Sequence, residues 1–278
     1  MTSTIAILYN TFSAKGKGRR IAFQLSQLSS HTILCSENEW PLDINQYHEI
    51  WLVGGDGTVN YFLNKYLEIN RPLLIFPGGT GNDIHWKLYG NISWEKQLEN
   101  IQNYSPKLID LGICNDKIFI NGIGIGFDGE VLKSMNSIRF VGGHLGYLMV
   151  VIKKIFSFKE PNYKILINGK VIEQKCMLLS IANSSRTGGG FMVSPLAEVN
   201  DGLLNLFYCK PLSIFKRLLA LPKVEKGTHL SLPFVHHETL TDITIVTENE
   251  VYAQIDGELF SSKRFEISIL NRKLHVKS

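Results

Sequence analysis

At 278 residues, with 44% hydrophobic and 19% charged side chains, the chain holds enough apolar material for one large or two ordinary cores without disulfide staples. A formal charge of +4 is too small to mark a nucleic-acid binder, and the aromatics are not interleaved with basic residues as a base-stacking platform requires. Cys35, Cys114, Cys176 and Cys209 are scattered with no CxxC pair, which argues against a zinc site or a disulfide framework and fits a reducing cytoplasm.

The first residues run straight into a strand pattern, Ile5 to Tyr9, without the basic flank, longer apolar stretch and small-residue cleavage site of a secretory signal. Lys15-Gly16-Lys17-Gly18 leads into a helix. Strands follow at Thr32 to Cys35 and Ile50 to Val53, then a helix from Thr58 to Leu67, a strand at Leu73 to Phe76 and a helix from Trp94 to Ile101. Strand and helix in alternation predict a parallel sheet covered on both faces, with ligands gathering beyond the carboxyl ends of its strands.

Two glycine loops fall at such ends: Gly54-Gly55-Asp56-Gly57-Thr58, and Pro77-Gly78-Gly79-Thr80-Gly81-Asn82-Asp83. Glycine lets main-chain N–H groups approach an anion, and a following helix adds the positive end of its dipole, so both loops suit phosphate. Thr58 is expected to cap the next helix, and Asp56 either to hydrogen-bond the loop or to help hold a phosphate-bound metal. The Thr80 hydroxyl and Asn82 amide are placed to reach phosphate oxygens. For Asp83 an ordinary N-cap is the competing reading. Asn10, Ser13, Lys15, Lys17 and Gly18 form a third phosphate-compatible loop. It is not a Walker A loop, and no GxGxxG opens a helix after the first strand, so an ordinary P-loop nucleotidase and a dinucleotide oxidoreductase are both disfavoured.

From about Leu108 the pattern changes to short β-rich runs: Ile118 to Ile125, Tyr163 to Ile167, Val171 to Ile181, Leu203 to Tyr208, Asp242 to Val246, Val251 to Ile255 and Phe265 to Leu270. Asn168-Gly169 is a strong hairpin signal, and a mostly antiparallel sandwich is expected. Ser213 to Leu221 reads as a helix. The division falls near Leu111, giving domains 1–111 and 112–278, with the last residues returning to the first. The longest apolar stretch, Leu145 to Ile152, stops at Lys153 and Lys154, short of the roughly 20 residues that span a bilayer. Between Lys133 and Lys159 the chain carries Arg139, Lys153 and Lys154 and no acidic residue. That segment suits either a packed helix with a solvated basic end or a helix lying on an anionic bilayer.

Several motifs occur together in one order: Gly-Gly-Asp-Gly-Thr-Val-Asn, Gly-Thr-Gly-Asn-Asp, Asp110-Leu111-Gly112, Asn121-Gly122 with Gly126-Phe127-Asp128, Gly189-Gly190-Phe191, Asp201-Gly202-Leu203 and Asp256-Gly257-Glu258. The chain resembles, from Ile7 to about Leu274, the diacylglycerol kinase catalytic domain family, specifically its soluble bacterial lipid kinases. The resemblance implies an α/β architecture: an N-terminal Rossmann-like nucleotide domain, a C-terminal mostly antiparallel β-sandwich, and an active site in the interdomain cleft.

It further implies ATP and Mg2+. ATP would be bound by Asn10, Lys17, Gly54, Gly55, Asp56, Gly57, Thr58, Gly79, Thr80 and Asn82. Asp256 would be the general base on a lipid hydroxyl, with Glu258 beside it. Asp83 and Asp110 would connect to the catalytic magnesium through a charge and water network. Asp201, with carbonyls near Glu198 and Leu203, would hold a second ion.

The partners implied are a membrane lipid and, transiently, the membrane surface at its cytoplasmic face; no nucleic acid is expected, and the oligomeric state, homodimer included, stays open. His85, His144, His229, His236 and His237 sit in no ligand spacing and read as packed or surface residues. The sequence departs from the family at Thr11, where proline is usual, at Ala14, where glycine is usual, at Ile84-His85-Trp86, where Phe-Ala-Arg is common, and at Gly129, where alanine is commoner. Two rivals remain: a kinase of NAD or another soluble substrate, and a non-catalytic lipid-binding relative.

Overall fold

A computed structural model of the chain describes residues 4–28, 32–137 and 143–278. They divide into two compact units, Met1–Asp110 with Arg272–Ser278, and Leu111–Asn271.

In the first unit, β1 (Ile5–Tyr9), β2 (Thr32–Ser36), β3 (Glu49–Gly54) and β4 (Leu73–Pro77) are parallel, in the spatial order β2, β1, β3, β4. The inner strands are almost continuously apolar because both faces of a parallel sheet are covered. Helix α1 (Lys17–Ser26) buries Ile21, Ala22 and Leu25 in a cluster with Ile7, Trp51, Val53, Leu74 and Phe76. Helix α2 (Asp56–Lys65) follows β3, and α3 (Asp83–Tyr89) and α4 (Trp94–Glu99) follow β4. The chain's last residues come back to this sheet, pairing Val276 in parallel with Leu73. Tyr89 Oη donates to the Lys277 carbonyl at 3.0 Å, and Lys277 Nζ meets the Glu49 carboxylate at 3.2 Å.

The second unit is built from antiparallel pairs. Strand β5 (Pro106–Cys114) enters it and pairs with β6 (Lys117–Phe119); then come β7 (Gly122–Ile125), α5 (Phe127–Ser137), α6 (Gly143–Ser157), β8 (Asn162–Ile167) and β9 (Lys170–Lys175). After them follow β10 (Leu178–Ala182), β11 (Leu204–Cys209), α7 (Ile214–Glu225), β12 (Val235–Leu240), β13 (Asp242–Ile255) and β14 (Glu258–Lys277). Neighbours run β12-β11-β10-β7-β13, and β13 also pairs with β8 and β14. Asn168 and Gly169 take φ of 50° and 72°, the left-handed pair that a two-residue hairpin turn requires.

One apolar cluster fills this unit from its strands, including Phe119, Ile123, Tyr163, Ile181, Leu206, Ile245 and Phe265. A second joins Phe127 and Val131 of α5 and Val150, Val151 and Ile155 of α6 to Met177, Phe207 and Cys209. All four cysteines are buried and free.

Some expected elements are corrected. The run Ile118 to Ile125 is two strands broken at Ile120 and Asn121, and Val171 to Ile181 is two strands broken at Cys176 and Met177. Asp242 to Ile255 is one strand carrying a register shift between Val246 and Val251. Of the basic apolar segment, Arg139 and Phe140 lie outside the described residues. No helix among the described residues is long and apolar enough to cross a membrane.

Candidate active site

The first unit brings three loops together at the carboxyl ends of β1, β3 and β4. A Cβ placed on Gly79 would lie 2.3 Å from Gly55 Cα, one on Gly55 2.7 Å from the Gly81 carbonyl oxygen, and one on Gly78 2.9 Å from Gly54 N and 3.1 Å from Gly18 Cα. The loops therefore touch backbone to backbone, leaving no room for side chains. Ser13 Oγ ties the loop after β1 to the loop after β4 by donating to the Gly78 carbonyl at 2.8 Å. Gly18, Gly78 and Gly81, members of the glycine-bearing loops legible in the sequence but not of the ATP-binding set that the resemblance implies, thus stand at this junction as well.

The polar side chains of the loops are committed in particular ways. Asp56 accepts the main-chain N–H of Asp83 and of Ile84, both at 3.1 Å, so its carboxylate caps the start of α3 from another loop. Asn82 closes on its own loop, accepting from Gly79 N–H at 3.0 Å and donating to the Gly79 carbonyl at 3.1 Å. Asn10 Oδ1 accepts the Phe12 N–H at 2.9 Å. Thr11, standing where proline is usual, donates both its N–H and its hydroxyl to Glu37, bonds a proline cannot make. Thr80 is exposed and Lys17 partly so.

Thr58 does not cap α2. The N-cap is Gly55, no side chain caps it, and the Thr58 side chain lies buried over Gly54. The helix begins two residues earlier than its apolar periodicity indicates. The N–H groups of its first turn, Asp56 and Gly57 among them, are the ones an α-helix leaves without helical acceptors, which suits an anion.

Asp83 is 2% and Asp110 0% exposed. Asp110 Oδ1 accepts the Arg272 N–H at 2.6 Å, at a residue in left-handed conformation (φ 51°) within the returning strand. His85 is buried beside them in sequence. Its Nε2 bonds Gln97 Oε1 at 3.0 Å, and the Gln97 amide nitrogen donates to the Ile75 carbonyl at 2.9 Å. Burial above all pushes His85 down to about 4, keeping it neutral.

In the second unit, Asp256 and Gly257 form the two-residue turn between β13 and β14, both with positive φ (47° and 91°). An ordinary hairpin turn would leave Asp256 in water, yet it is 4% exposed. Its Oδ2 accepts the Ile120 N–H at 2.7 Å and its Oδ1 the N–H groups of Asn121 and Gly122, each at 2.9 Å. Its own N–H donates to the Gly122 carbonyl at 3.1 Å. The break between β6 and β7 is the place where the main chain turns its donors to this carboxylate. Glu258 opens β14 and is exposed. Asp128, at the start of α5, is pushed up to about 6 by burial.

Asp201 Oδ1 accepts the Leu203 N–H at 3.0 Å, and Glu198 is exposed on the same loop. Among the described residues no three of His, Cys, Asp and Glu gather as a metal cage. Two buried carboxylates in the phosphate-suited unit fit a magnesium ion held mainly by phosphate oxygens and water, the usual habit of that ion.

A parallel α/β sheet ending in close-packed glycine loops, followed by an antiparallel sandwich that buries an aspartate on three N–H groups, defines a kinase-type nucleotide fold. Residues 4–114 match the diacylglycerol kinase catalytic domain, and residues 121–277 match the YegS C-terminal NAD kinase beta sandwich-like domain. The chain thus carries a diacylglycerol kinase catalytic domain followed by a YegS C-terminal NAD kinase beta sandwich-like domain, and it belongs to the family that the second of these, matching more than half of it, defines.

It is 25% identical over 239 residues to the diacylglycerol kinase of Bacillus subtilis, covering 84% of this chain and 78% of that one. To that of Mycobacterium tuberculosis (strain ATCC 25618 / H37Rv) it is 27% identical over 236 residues, covering 82% and 75%. Among solved structures, a diacylglycerol kinase from Bacillus anthracis str. Sterne matches with a TM-score of 0.70 at 20% identity over 99% of this chain and 96% of that one. An NAD kinase from Archaeoglobus fulgidus in complex with ATP matches with a TM-score of 0.57 at 15% identity, over 99% and 94%. These two structures bear on the fold.

Proposed function

We propose that this chain transfers the γ-phosphoryl group of ATP to the hydroxyl of a membrane lipid such as diacylglycerol. The observation that carries the reading is Asp256, a buried carboxylate held by three main-chain N–H groups at 2.7 to 2.9 Å. A carboxylate used only to brace a hairpin turn needs neither that burial nor that many donors. One fixed in direction can accept a proton from an alcohol as the oxygen attacks phosphorus.

In this reading the triphosphate lies on the backbone of Gly54 to Thr58 and Gly79 to Asn82, and the roles of Asp56 and Asn82 are to hold those loops in shape. Lys17 and Asn10 border it. Transfer needs placement and charge neutralisation more than covalent help, so rigid loops are what the protein has to supply. Magnesium carried with the triphosphate would neutralise its oxygens. Asp83 and Asp110 are the residues that would hold it through water, and Asp201 with the carbonyls near Glu198 and Leu203 would hold a second ion. Glu258 flanks the base. The membrane is where such an acceptor is met.

The likeness to an ATP-bound NAD kinase favours one second reading, phosphorylation of NAD or another soluble acceptor. Incubating the purified protein with labelled ATP, magnesium and either lipid extract or NAD separates the two. Label in the organic phase, identified as a phospholipid by mass spectrometry, is expected. Label in a dinucleotide would replace this reading with the second, and ATP binding with no turnover would favour a non-catalytic relative.

A further inference from the structure

We infer that Asn183 is a positioning residue for the base: its side chain fixes a peptide that holds Asp256, and it serves phosphoryl transfer through Asp256 alone. The inference rests on the reading of Asp256 as the base of a lipid kinase. The antiparallel ladder between β10 and β7 ends at Ala182 and Gly122. One residue beyond it Asn183, fully buried, donates through Nδ2 to the Ile120 carbonyl at 2.9 Å. Its main-chain N–H and that of Ser184 both go to the Asn121 carbonyl, at 2.8 and 3.0 Å.

Each of those carbonyls belongs to a peptide whose other edge faces the carboxylate. A peptide group is planar and trans, so its C=O and N–H point in opposite directions and turn as one body. The Ile120 carbonyl shares its plane with the Asn121 N–H, and the Asn121 carbonyl with the Gly122 N–H. These two N–H groups are the donors to Asp256 Oδ1, each at 2.9 Å. Two hydrogen-bond chains therefore run from Asn183 through a peptide plane to one carboxylate oxygen, the first from its side chain and the second from its backbone. A bond accepted by the carbonyl polarises the N–H on the far edge and stops the plane from rocking.

A side chain that only closed the end of a strand could satisfy any buried carbonyl within reach. Asn183 takes the one whose peptide ends on the base. Ile120 and Asn121 belong to neither β6 nor β7, so the groups they meet set the direction of their peptides: Asp256 on one side, the Asn183 segment on the other. Asn183 is absent from the site residues that the resemblance implies, and its role rests on a contact 63 residues back along the chain.

A double-mutant cycle tests this. Wild type, Asn183→Leu, Asp256→Asn and the double variant are compared for transfer to lipid in detergent micelles, below their melting points and per bound ATP. Asn183→Leu, which keeps the volume and withdraws the donor, should lower kcat roughly ten- to a hundredfold with nucleotide affinity unchanged. In the Asp256→Asn background the same substitution should change the rate by less than about twofold. If the leucine variant does not fold, Asn183→Ser, which also withdraws the amide, is read in its place. Ile245→Val, a buried change elsewhere in this unit, should lower the melting point and keep the rate per folded molecule.

A kcat near that of the wild type for Asn183→Leu, or an equal loss in both backgrounds, would overturn the positioning role and leave Asp256 as the base. Near-normal turnover by Asp256→Asn would overturn both, as would a wild type inert on every acceptor. Label in NAD instead of lipid would change the acceptor alone, and the cycle read on NAD carries the same expectation.

Discussion

Asp56 Oδ2 accepts the main-chain N–H of Asp83 at 3.1 Å, while its other oxygen takes the next N–H, that of Ile84. The acid of the first glycine loop thereby sets the start of the helix that follows the second. Replacing it by alanine leaves two donors without their acceptor, so Asp56→Ala should cost about 1–3 kcal/mol in chemical denaturation. Asp56→Asn, which keeps one acceptor, should lose less.

The contact between Gly55 and Gly79 leaves no space to share. With 2.3 Å between a Gly79 Cβ and Gly55 Cα, and both groups on the backbone, Gly79→Ala has to push the loops apart. Nucleotide affinity by calorimetry should fall by at least about tenfold as the main-chain donors move. At Gly90, where φ is 79° and a Cβ meets nothing within 4 Å, alanine meets only backbone strain. Gly90→Ala should cost about 1–3 kcal/mol of stability and leave nucleotide affinity alone.

His85 gives a pH dependence of known sign. Buried and held at about 4, it stays neutral in the fold, whereas the unfolded chain protonates near 6.5. Between those values the unfolded state binds more protons, so this group's stabilisation is complete above about 6.5 and is lost as pH falls towards 4, by up to about 3 kcal/mol. Denaturation curves of wild type and His85→Gln at pH 7 and pH 4.5 should show the wild type losing more stability on acidification.

Asp128 has the opposite sign. Raised by burial to about 6 from its ordinary 3.8, it weighs against the fold above pH 6, and that cost is relieved as pH falls below 6. Asp128→Asn should melt higher than wild type at pH 8, and the gap should close near pH 4.

What the sequence made legible follows from how local each cause is. β1, β3 and β4 showed through because a covered parallel strand is a run of apolar residues, and the hairpin at Asn168-Gly169 showed through because its two residues need positive φ. The break at Ile120 and Asn121 was hidden: its cause is the carboxylate of Asp256, more than a hundred residues along the chain. The start of α2 was misplaced for the same reason, since what anchors that turn is the contact of Asp56 with another loop. β12 (Val-His-His-Glu-Thr-Leu) lacks apolar alternation because its pairing with β11, rather than its own side chains, holds it. Among the proposed site residues, glycine spacing announced the loops, while the commitments of Asp56, Asn82 and Thr58 to the loops themselves required coordinates.

The most direct test of the account is the rate of phosphoryl transfer to lipid by Asp256→Asn. The asparagine oxygen can still serve Asn121 and Gly122, but its amide nitrogen would face the Ile120 N–H, so the variant should be less stable by about 1–3 kcal/mol. The rate is therefore read well below its melting point and normalised to bound ATP. The account predicts unchanged nucleotide affinity with transfer reduced by about 10³-fold or more; turnover near that of the wild type would contradict it.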